Sequence, residues 1–279
     1  MEVGPRDGLQ NETRIVPSQE KLELINLLRQ AGLSRIEVTA FVSPRWVPQM
    51  ADHEAVLRQT RAEPGLIRSV LVPNERGALA ALAIGVEELA VFTSASETFC
   101  GKNINCSIAQ SLERFAPVAT LARERGVRLR GYVSCAIECP YEGPVDVSSV
   151  GKVANALAQL GCNEIALADT IGRGEPERVD ALLSHVLKIL PARQLACHFH
   201  DTFGQALANV DVALEHKIRI FDGAIGGLGG CPYAPGAAGN LSTSSLVRHL
   251  EGQGLSTGIA IEVLNQAEEL AVRLRGPGS

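Results

Sequence analysis

The segment His198-Phe199-His200 places two metal-binding side chains two residues apart. It directly follows the apolar run Leu195-Ala196-Cys197, which is typical of a buried strand. Residues i and i+2 of an extended chain point to the same face, so both imidazoles should project together from the end of this strand. Two adjacent imidazoles, with carboxylates available elsewhere, favour a divalent-metal site. The sequence therefore predicts a metal-dependent enzyme.

Three acidic residues lie in or just after other predicted strands. Arg6-Asp7 alone is typical of a surface ion pair, but its position after the short first strand favours a site residue. Glu37 lies within an apolar strand, where an unpaired carboxylate is costly. We expect Glu37 to hold Arg6 or a neighbour of the metal ligands; an outward-facing glutamate is the alternative. Asp169 ends another strand and could equally serve the site or cap the following turn.

A glycine-rich segment, Gly226–Asn240, follows the last predicted strand and contains one cysteine, Cys231. A phosphate-binding P-loop is excluded because no Gly-Lys-Ser/Thr follows the glycines. The segment favours a mobile lid that carries Cys231 to the site, although a lone loop cysteine is usually inert. Asn240 could supply an amide oxygen to a hard cation. We interpret the remaining histidines as surface or structural residues: His53, His185, His216 and His249.

Short apolar segments alternate with segments of helical periodicity throughout the chain. We predict strands at Met1–Val3, Arg35–Thr39, Ile67–Val72, Glu88–Thr93, Arg128–Ser134, Glu164–Ala168, Gln194–Phe199 and Ile220–Ala224. We predict helices at Ser18–Gln30, Asp52–Arg61, Glu75–Ile84, Ala109–Glu124, Ser148–Leu160, Pro176–Leu190, Phe203–His216 and Gly258–Arg275. Eight alternating strands favour a single-domain α/β protein spanning residues 1–279, a (β/α)8 TIM barrel with its site at the carboxyl ends of the strands. A doubly wound sheet is disfavoured because no G-x-G-x-x-G follows the first strand, which is so short that the native chain could begin upstream.

The bulk composition narrows the class of protein. The net charge of -5 and the absence of a long basic cluster argue against a nucleic-acid partner. No apolar run reaches the roughly 18 residues of a membrane helix, so we expect no membrane segment. Seven scattered cysteines and an N-terminal segment without signal-peptide character predict a cytoplasmic protein.

Six stretches, in order along nearly the whole chain, resemble the hydroxymethylglutaryl-CoA lyase family, in the metal-dependent lyase and synthase TIM-barrel superfamily. They are Glu2–Glu12, Ile36–Met50, Ser96–Ser107, Val133–Gly143, His198–Gly204 and Gly227–Leu241. The resemblance implies cleavage of the CoA thioester 3-hydroxy-3-methylglutaryl-CoA to acetyl-CoA and acetoacetate, a late step in leucine breakdown. It also implies one Mg2+ or Mn2+ ion and a homodimer.

The resemblance also implies roles for individual residues. The metal ligands would be Asp7, His198, His200 and Asn240. Arg6 would stabilise the thioester enolate, with Glu37 and Asp169 orienting Arg6 and the metal shell, and Cys231 would protonate the carbanion. The general base stays open between Asp7 and His198. Contacts to CoA would come from the loop after the fourth predicted strand, through Lys102, Asn103 and Asn105, although Lys102 could equally be a plain surface charge.

The chain departs from the family pattern in three places, and three other functions are alternatives. Ser244-Ser245 and Thr13 replace residues that are commonly charged in the family, and the first strand is shortened. None of these departures affects a predicted metal ligand or Cys231. A Claisen-type synthase would share the barrel, the metal and the His-x-His pair, yet would lack the Gly-Gly-Cys-Pro-Tyr loop. A metal-dependent hydrolase would carry its histidine pair on the first strand. A barrel without catalytic activity is disfavoured by the number of candidate site residues.

A Cys231→Ala variant tests the role expected for the glycine-rich segment. We expect turnover to fall strongly, because the carbanion loses its proton donor, while metal binding stays nearly intact. Steady-state kinetics and metal titration of the purified variant measure the two effects separately. Loss of bound metal would instead identify Cys231 as a ligand.

Overall fold

Strands and helices alternate along the chain as predicted, in a computed structural model that describes residues 1–229 and 239–275. The strands are β1 Arg35–Ala40, β2 Ile67–Leu71, β3 Glu88–Ser94, β4 Arg128–Ser134, β5 Glu138–Cys139, β6 Gly143–Pro144, β7 Glu164–Asp169, β8 Leu195–Phe199 and β9 Phe221–Asp222. Seven of them form a parallel sheet in the order β1-β2-β3-β4-β7-β8-β9, and β5 pairs with β6 in a short antiparallel hairpin. The protein therefore has an α/β fold built on a parallel sheet.

The segment predicted as the first strand joins the two edges of this sheet. Met1–Val3 is not a strand, because Glu2 alone forms bridges, pairing in parallel with Ile36 and with Gly223. Ile36 belongs to the edge strand β1, and Gly223 directly follows the opposite edge strand β9. The chain's first residues thus link the strands that begin and end the sheet.

Ten helices occur within the described residues. They are α1 Ser18–Gln30, α2 His53–Gln59, α3 Glu75–Ile84, α4 Glu97–Ile104, α5 Ile108–Arg125, α6 Val147–Leu160, α7 Pro176–Val186, α8 Ala206–Glu215, α9 Thr243–Gly252 and α10 Ile261–Leu274. None of those in residues 1–229 and 239–275 has both the length and the apolar character needed to cross a lipid bilayer.

The sequence patterns missed two helices, α4 and α9. Both are short and begin at a serine cap: the Ser96 side chain accepts from the Phe99 amide, and the Ser242 side chain accepts from the Ser245 amide. Glycine and asparagine within α4, and serine and threonine at the start of α9, have low helix propensity, so packing rather than periodicity forms these helices.

A buried carboxylate fixes the segment that carries Arg6 and Asp7. Glu2 Oε1 accepts hydrogen bonds from the Gly4 amide at 2.7 Å and the Ile225 amide at 3.0 Å. Its Oε2 accepts from the Thr243 hydroxyl at 2.6 Å. Burial raises the pKa of Glu2 to about 7, against the effect of these hydrogen bonds. One side chain therefore ties the turn after Val3 to both ends of the segment that follows β9.

Charged side chains also lie inside the sheet, and they are paired. Arg130 of β4 is fully buried, with Nε 3.0 Å from Glu164 Oε1 and Nη2 2.8 Å from Asp222 Oδ1. A buried charge is tolerated only when it is paired in this way. Arg130 thus connects β4 with β7 and β9 beneath the carboxyl ends of the strands.

Replacement of this arginine should destabilise the fold. Arg130→Met leaves the Glu164 and Asp222 carboxylates without their buried partner, so we expect a loss of about 3–5 kcal/mol in the free energy of unfolding. Urea denaturation followed by circular dichroism measures it. The matched control is Arg128→Met on the same strand, because Arg128 has a 45% exposed side chain and should change stability by less than about 1 kcal/mol. Equal losses for both variants would contradict the expectation.

Candidate metal centre

Asp7, His198 and His200 come together at the carboxyl ends of the strands. One potential ligand atom from each residue lies within 4.8 Å of the other two. His198 is on β8, His200 directly follows it, and Asp7 comes from the helical turn Gly4–Gly8. His198 Nε2 is 3.9 Å from Asp7 Oδ2, and the two imidazole centroids are 5.3 Å apart. The structure therefore brings three of the four predicted metal ligands into one cluster.

Asn240, the fourth predicted ligand, contacts this cluster directly. Its side-chain amide donates to Asp7 Oδ2 at 2.8 Å and to the Leu228 carbonyl at 3.1 Å. Its backbone forms an antiparallel bridge with His200. Gly229, with φ +93°, packs so closely that a Cβ there would lie 2.7 Å from the Asn240 amide nitrogen. A glycine is therefore required beside Asn240.

The charge states of Asp7 and His200 suit a divalent cation. Burial lowers the pKa of His200 to about 4, so its imidazole is neutral, and its buried Nδ1 has no hydrogen-bond partner among the described residues. Burial alone would raise the pKa of Asp7, but Arg6 and the two histidines lower it below its usual value. A carboxylate, two imidazoles and a neighbouring amide form a donor set that fits such an ion.

Arg6 lies beside the cluster and is held by two carboxylates. Its Nε donates to Glu37 Oε2 at 2.6 Å, and its Nη1 donates to Asp7 Oδ1 at 2.8 Å. Burial would lower the pKa of Arg6, but Glu37 and Asp7 raise it above its ordinary value, so the guanidinium stays charged. Glu37 is fully buried and points inward, as expected from the need for a partner inside an apolar strand. Its Oε1 has no hydrogen-bond partner among the described residues.

Asp222 is a site residue that the sequence reasoning missed. Its Oδ2 lies 3.1 Å from His198 Nδ1, and its Oδ1 accepts from Arg130. Burial alone would lower the pKa of His198, but the hydrogen bond and the charge of Asp222 raise it above its ordinary value. An acid inside an apolar strand was the signal that singled out Glu37, and the same signal was present at Asp222. Tyr132 also went unnoticed: its ring meets His198 edge-on at 6.0 Å.

Asp169 lies at the strand end as predicted, but its side chain caps a turn. Its two oxygens accept from the backbone amides of Arg173 at 3.1 Å and Gly174 at 2.7 Å. No hydrogen bond to Arg6 occurs within residues 1–229 and 239–275, so the geometry favours the capping alternative over orientation of Arg6. Burial raises the pKa of Asp169 to about 6, while these two amides oppose the rise.

The residues expected to contact CoA belong to a helix rather than to a loop. Lys102 and Asn103 lie on α4, and Asn105 ends it in the left-handed conformation with φ 52°. The Lys102 ammonium lies 4.7 Å from the centre of the Tyr141 ring. The short α4 was not recognised from the sequence, which explains the error. Cys231 and most of the predicted lid fall at positions 230–238, outside the described residues.

Comparison with known proteins places the whole arrangement in one family. The HMGL-like family model matches residues 1–271. The chain belongs to the HMGL-like family. Proteins of the HMGL-like family depend on a divalent metal, which agrees with the cluster of Asp7 and two histidines.

The HMGL-like relatives and structures include three informative matches. The cytoplasmic 3-hydroxy-3-methylglutaryl-CoA lyase of Danio rerio is 54% identical over 93% of this chain and 77% of its own length. The mitochondrial hydroxymethylglutaryl-CoA lyase of Bos taurus is 51% identical over 96% of this chain and 82% of its own. A structure of an HMG-CoA lyase from Acinetobacter baumannii in complex with coenzyme A and 3-methylmalate has a TM-score of 0.92 at 40% identity, covering 98% of this chain and 89% of that chain.

Asp222 offers a test of how the metal centre is held. An Asp222→Asn variant keeps the shape of the side chain but removes the charge that fixes the Nδ1–H form of His198. We expect metal affinity to fall about 10–100-fold, the usual cost of removing such a support. Calorimetric titration of metal-free protein with Mn2+ measures this affinity. Asp211→Asn is the control, because Asp211 pairs with His249 at 2.6 Å on the surface. Unchanged affinity for Asp222→Asn would contradict this account.

Proposed function

We propose that this chain is a divalent-metal-dependent carbon–carbon lyase that cleaves 3-hydroxy-3-methylglutaryl-CoA to acetyl-CoA and acetoacetate, as in leucine breakdown and ketone body metabolism. The observation that carries the proposal is the hydrogen bond between Arg6 and Asp7, which holds a permanent cation against the candidate metal ligands. The chain's membership of the HMGL-like family supports the same reaction, as does its identity of 51–54% to enzymes named for this activity.

The architecture proposed for this enzyme is a single-domain (β/α)8 barrel. Seven parallel strands, whose two edges both bridge to Glu2, support a closed ring with an eighth, very short segment. One family match over residues 1–271 supports a single domain. The proposed site then lies on the rim where barrel enzymes place their catalytic residues.

The metal proposed for the site is Mg2+ or Mn2+, held by Asp7, His198, His200 and Asn240. When bound, it supplies a Lewis acid that lowers the pKa of the substrate's tertiary hydroxyl. Arg6 donates to the thioester oxygen, where negative charge develops as the carbon–carbon bond breaks. A fixed donor of this kind contributes roughly 3–4 kcal/mol to the transition state. Glu37 keeps Arg6 in place through its 2.6 Å hydrogen bond.

Proton transfer in the reaction requires a base and an acid. Of the two candidate bases, Asp7 already accepts hydrogen bonds at both oxygens, from Arg6 and Asn240. His198 binds Asp222 through Nδ1, which leaves Nε2 on the side of the cluster. Nε2 is also the atom through which His198 would bind the metal, so Asp7 and His198 both stand as candidates for the base that takes the hydroxyl proton. Cys231 is proposed as the acid that returns a proton to the acetyl-CoA carbanion.

The proposal extends to the protein's partners and location. The substrate is a CoA thioester, in line with the coenzyme A in the Acinetobacter baumannii complex. We also propose a homodimer in the cytoplasm. The name of the Danio rerio relative supports this location, whereas the Bos taurus relative is mitochondrial.

Activity and metal dependence can be tested in one assay. Purified protein with Mg2+ and 3-hydroxy-3-methylglutaryl-CoA should release acetoacetate, because the rim holds both the cation and the metal ligands that a retro-aldol cleavage needs. Treatment with EDTA should abolish turnover, and Mg2+ or Mn2+ should restore it. Absence of acetoacetate, with turnover of a 2-oxo acid and acetyl-CoA instead, would favour a Claisen-type synthase and reject the lyase.

An Arg6→Met variant tests the role of the arginine in the same assay. It should lose at least about 100-fold in kcat, because the enolate loses its donor, yet still bind Mn2+. Arg14→Met is the matched exposed variant, since Arg14 pairs with Glu20 on the surface and should keep normal kinetics.

A further inference from the structure

An arginine and a phenylalanine are stacked on the same rim as the metal centre, outside the residues so far given a role. The Arg173 guanidinium carbon lies 4.0 Å from the centre of the Phe203 ring. The phenylalanine ring is 46% exposed, and the arginine lies over it. Stacking of this kind orients a guanidinium and leaves its N–H edge available to an anion.

The Arg173 side chain has no acidic partner among the described residues. No carboxylate lies within 4 Å of its nitrogens in residues 1–229 and 239–275, whereas neighbouring Arg178 pairs with Glu138 at 2.9 Å. A cavity of about 210 Å3 opens beside Arg173 and Phe203, and its lining also includes Gln205 and Glu175. The charge of Arg173 is thus left uncompensated by an ion pair and faces an open cavity.

Backbone contacts hold this pair close to the metal-ligand strand. The Arg173 amide donates to Asp169, so the loop after β7 is pinned at that residue. Gly172, with φ +70°, packs so tightly that a Cβ there would lie 3.0 Å from the His200 carbonyl oxygen and 2.9 Å from the Thr202 side chain. The loop bearing Arg173 therefore lies directly against the segment that carries His200.

A second pair on the rim repeats the pattern. Lys102 covers Tyr141, which is 45% exposed, and Lys102 likewise forms no ion pair within the described part of the chain. The chain as a whole carries a net charge of -5, so a polyanionic ligand needs local cations to overcome repulsion. Two uncompensated cations on exposed rings suit a ligand that combines phosphates with a planar base.

We infer that Arg173, stacked on Phe203, binds a phosphate group of the nucleotide end of the CoA thioester. This inference rests on the proposed lyase function, and it assigns a contact distinct from Lys102, Asn103 and Asn105. A guanidinium fork matches phosphate geometry and gives a strong, charge-assisted hydrogen bond. The proposed contact is to a phosphate group and not to a group that reacts, so it should lower KM and leave kcat unchanged.

The test compares Arg173→Gln with the wild type on two substrates. One is 3-hydroxy-3-methylglutaryl-CoA, and the other is the corresponding pantetheine thioester, which lacks the nucleotide. We expect KM for the CoA thioester to rise about tenfold at unchanged kcat, as for the loss of one charge-assisted hydrogen bond. KM for the pantetheine thioester should be the same for both proteins. The matched control is Arg125→Gln, an exposed arginine in the last turn of α5.

The outcomes separate the inference from the proposed function. An equal KM rise on both substrates, or none on either, overturns the inference. Failure of the wild type to cleave either thioester counts against the lyase function itself. The KM difference between the wild type and Arg173→Gln is then measured with the 3′-dephospho-CoA thioester. If the difference disappears, Arg173 binds the 3′-phosphate. If it persists, Arg173 binds the diphosphate. Phe203→Leu should reproduce part of the KM rise, because the guanidinium loses its support.

Discussion

Pairing of buried charges is the constraint on which the site depends. Arg130 lies fully buried within the sheet, and its charge is balanced by Glu164 and Asp222. Because Asp222 is anchored in this way, its second oxygen meets His198 at 3.1 Å and fixes one imidazole of the cluster. The position of His198 in the candidate metal centre therefore depends on ion pairs inside the sheet as well as on surface loops.

Carboxylates also position the residues at the rim of the sheet. Glu37 needs a partner inside an apolar strand, and it holds Arg6, which in turn holds Asp7. Glu2 pins the turn that carries both residues to the Ile225 amide and the Thr243 hydroxyl. Each carboxylate thus positions a neighbour, and the strong, directional hydrogen bonds of charged groups give the site its geometry before any ligand binds.

The rim has two regions that differ in whether their cationic side chains are paired with carboxylates. Around the cluster, Arg6 is paired with Glu37 and Asp7, and Arg130 is paired with Glu164 and Asp222. Farther out, Lys102 and Arg173 cover exposed rings without carboxylate partners among the described residues. In a chain of net charge -5, local cations of this kind offset the repulsion that the whole chain exerts on an anion.

Local spacing alone determined part of this protein. The two-residue interval between His198 and His200, and an acid inside the strand containing Glu37, predicted side chains that meet at the site. The main strands and most helices also followed from periodicity, with ends shifted by a few residues. Each of these features depends on contacts between residues close in sequence, which the order of residue types encodes directly.

Only the tertiary structure decided the rest. It joined Asp7 to Asn240 across 233 positions, gave His198 its partner Asp222, and turned Asp169 towards its own loop. It also formed the helix that carries Lys102, where propensity is weak. The contacts of Asp7 and His198 join segments that are far apart in the chain. Whether a carboxylate such as Asp169 binds a nearby amide or a distant side chain depends on which groups the assembled sheet brings within reach.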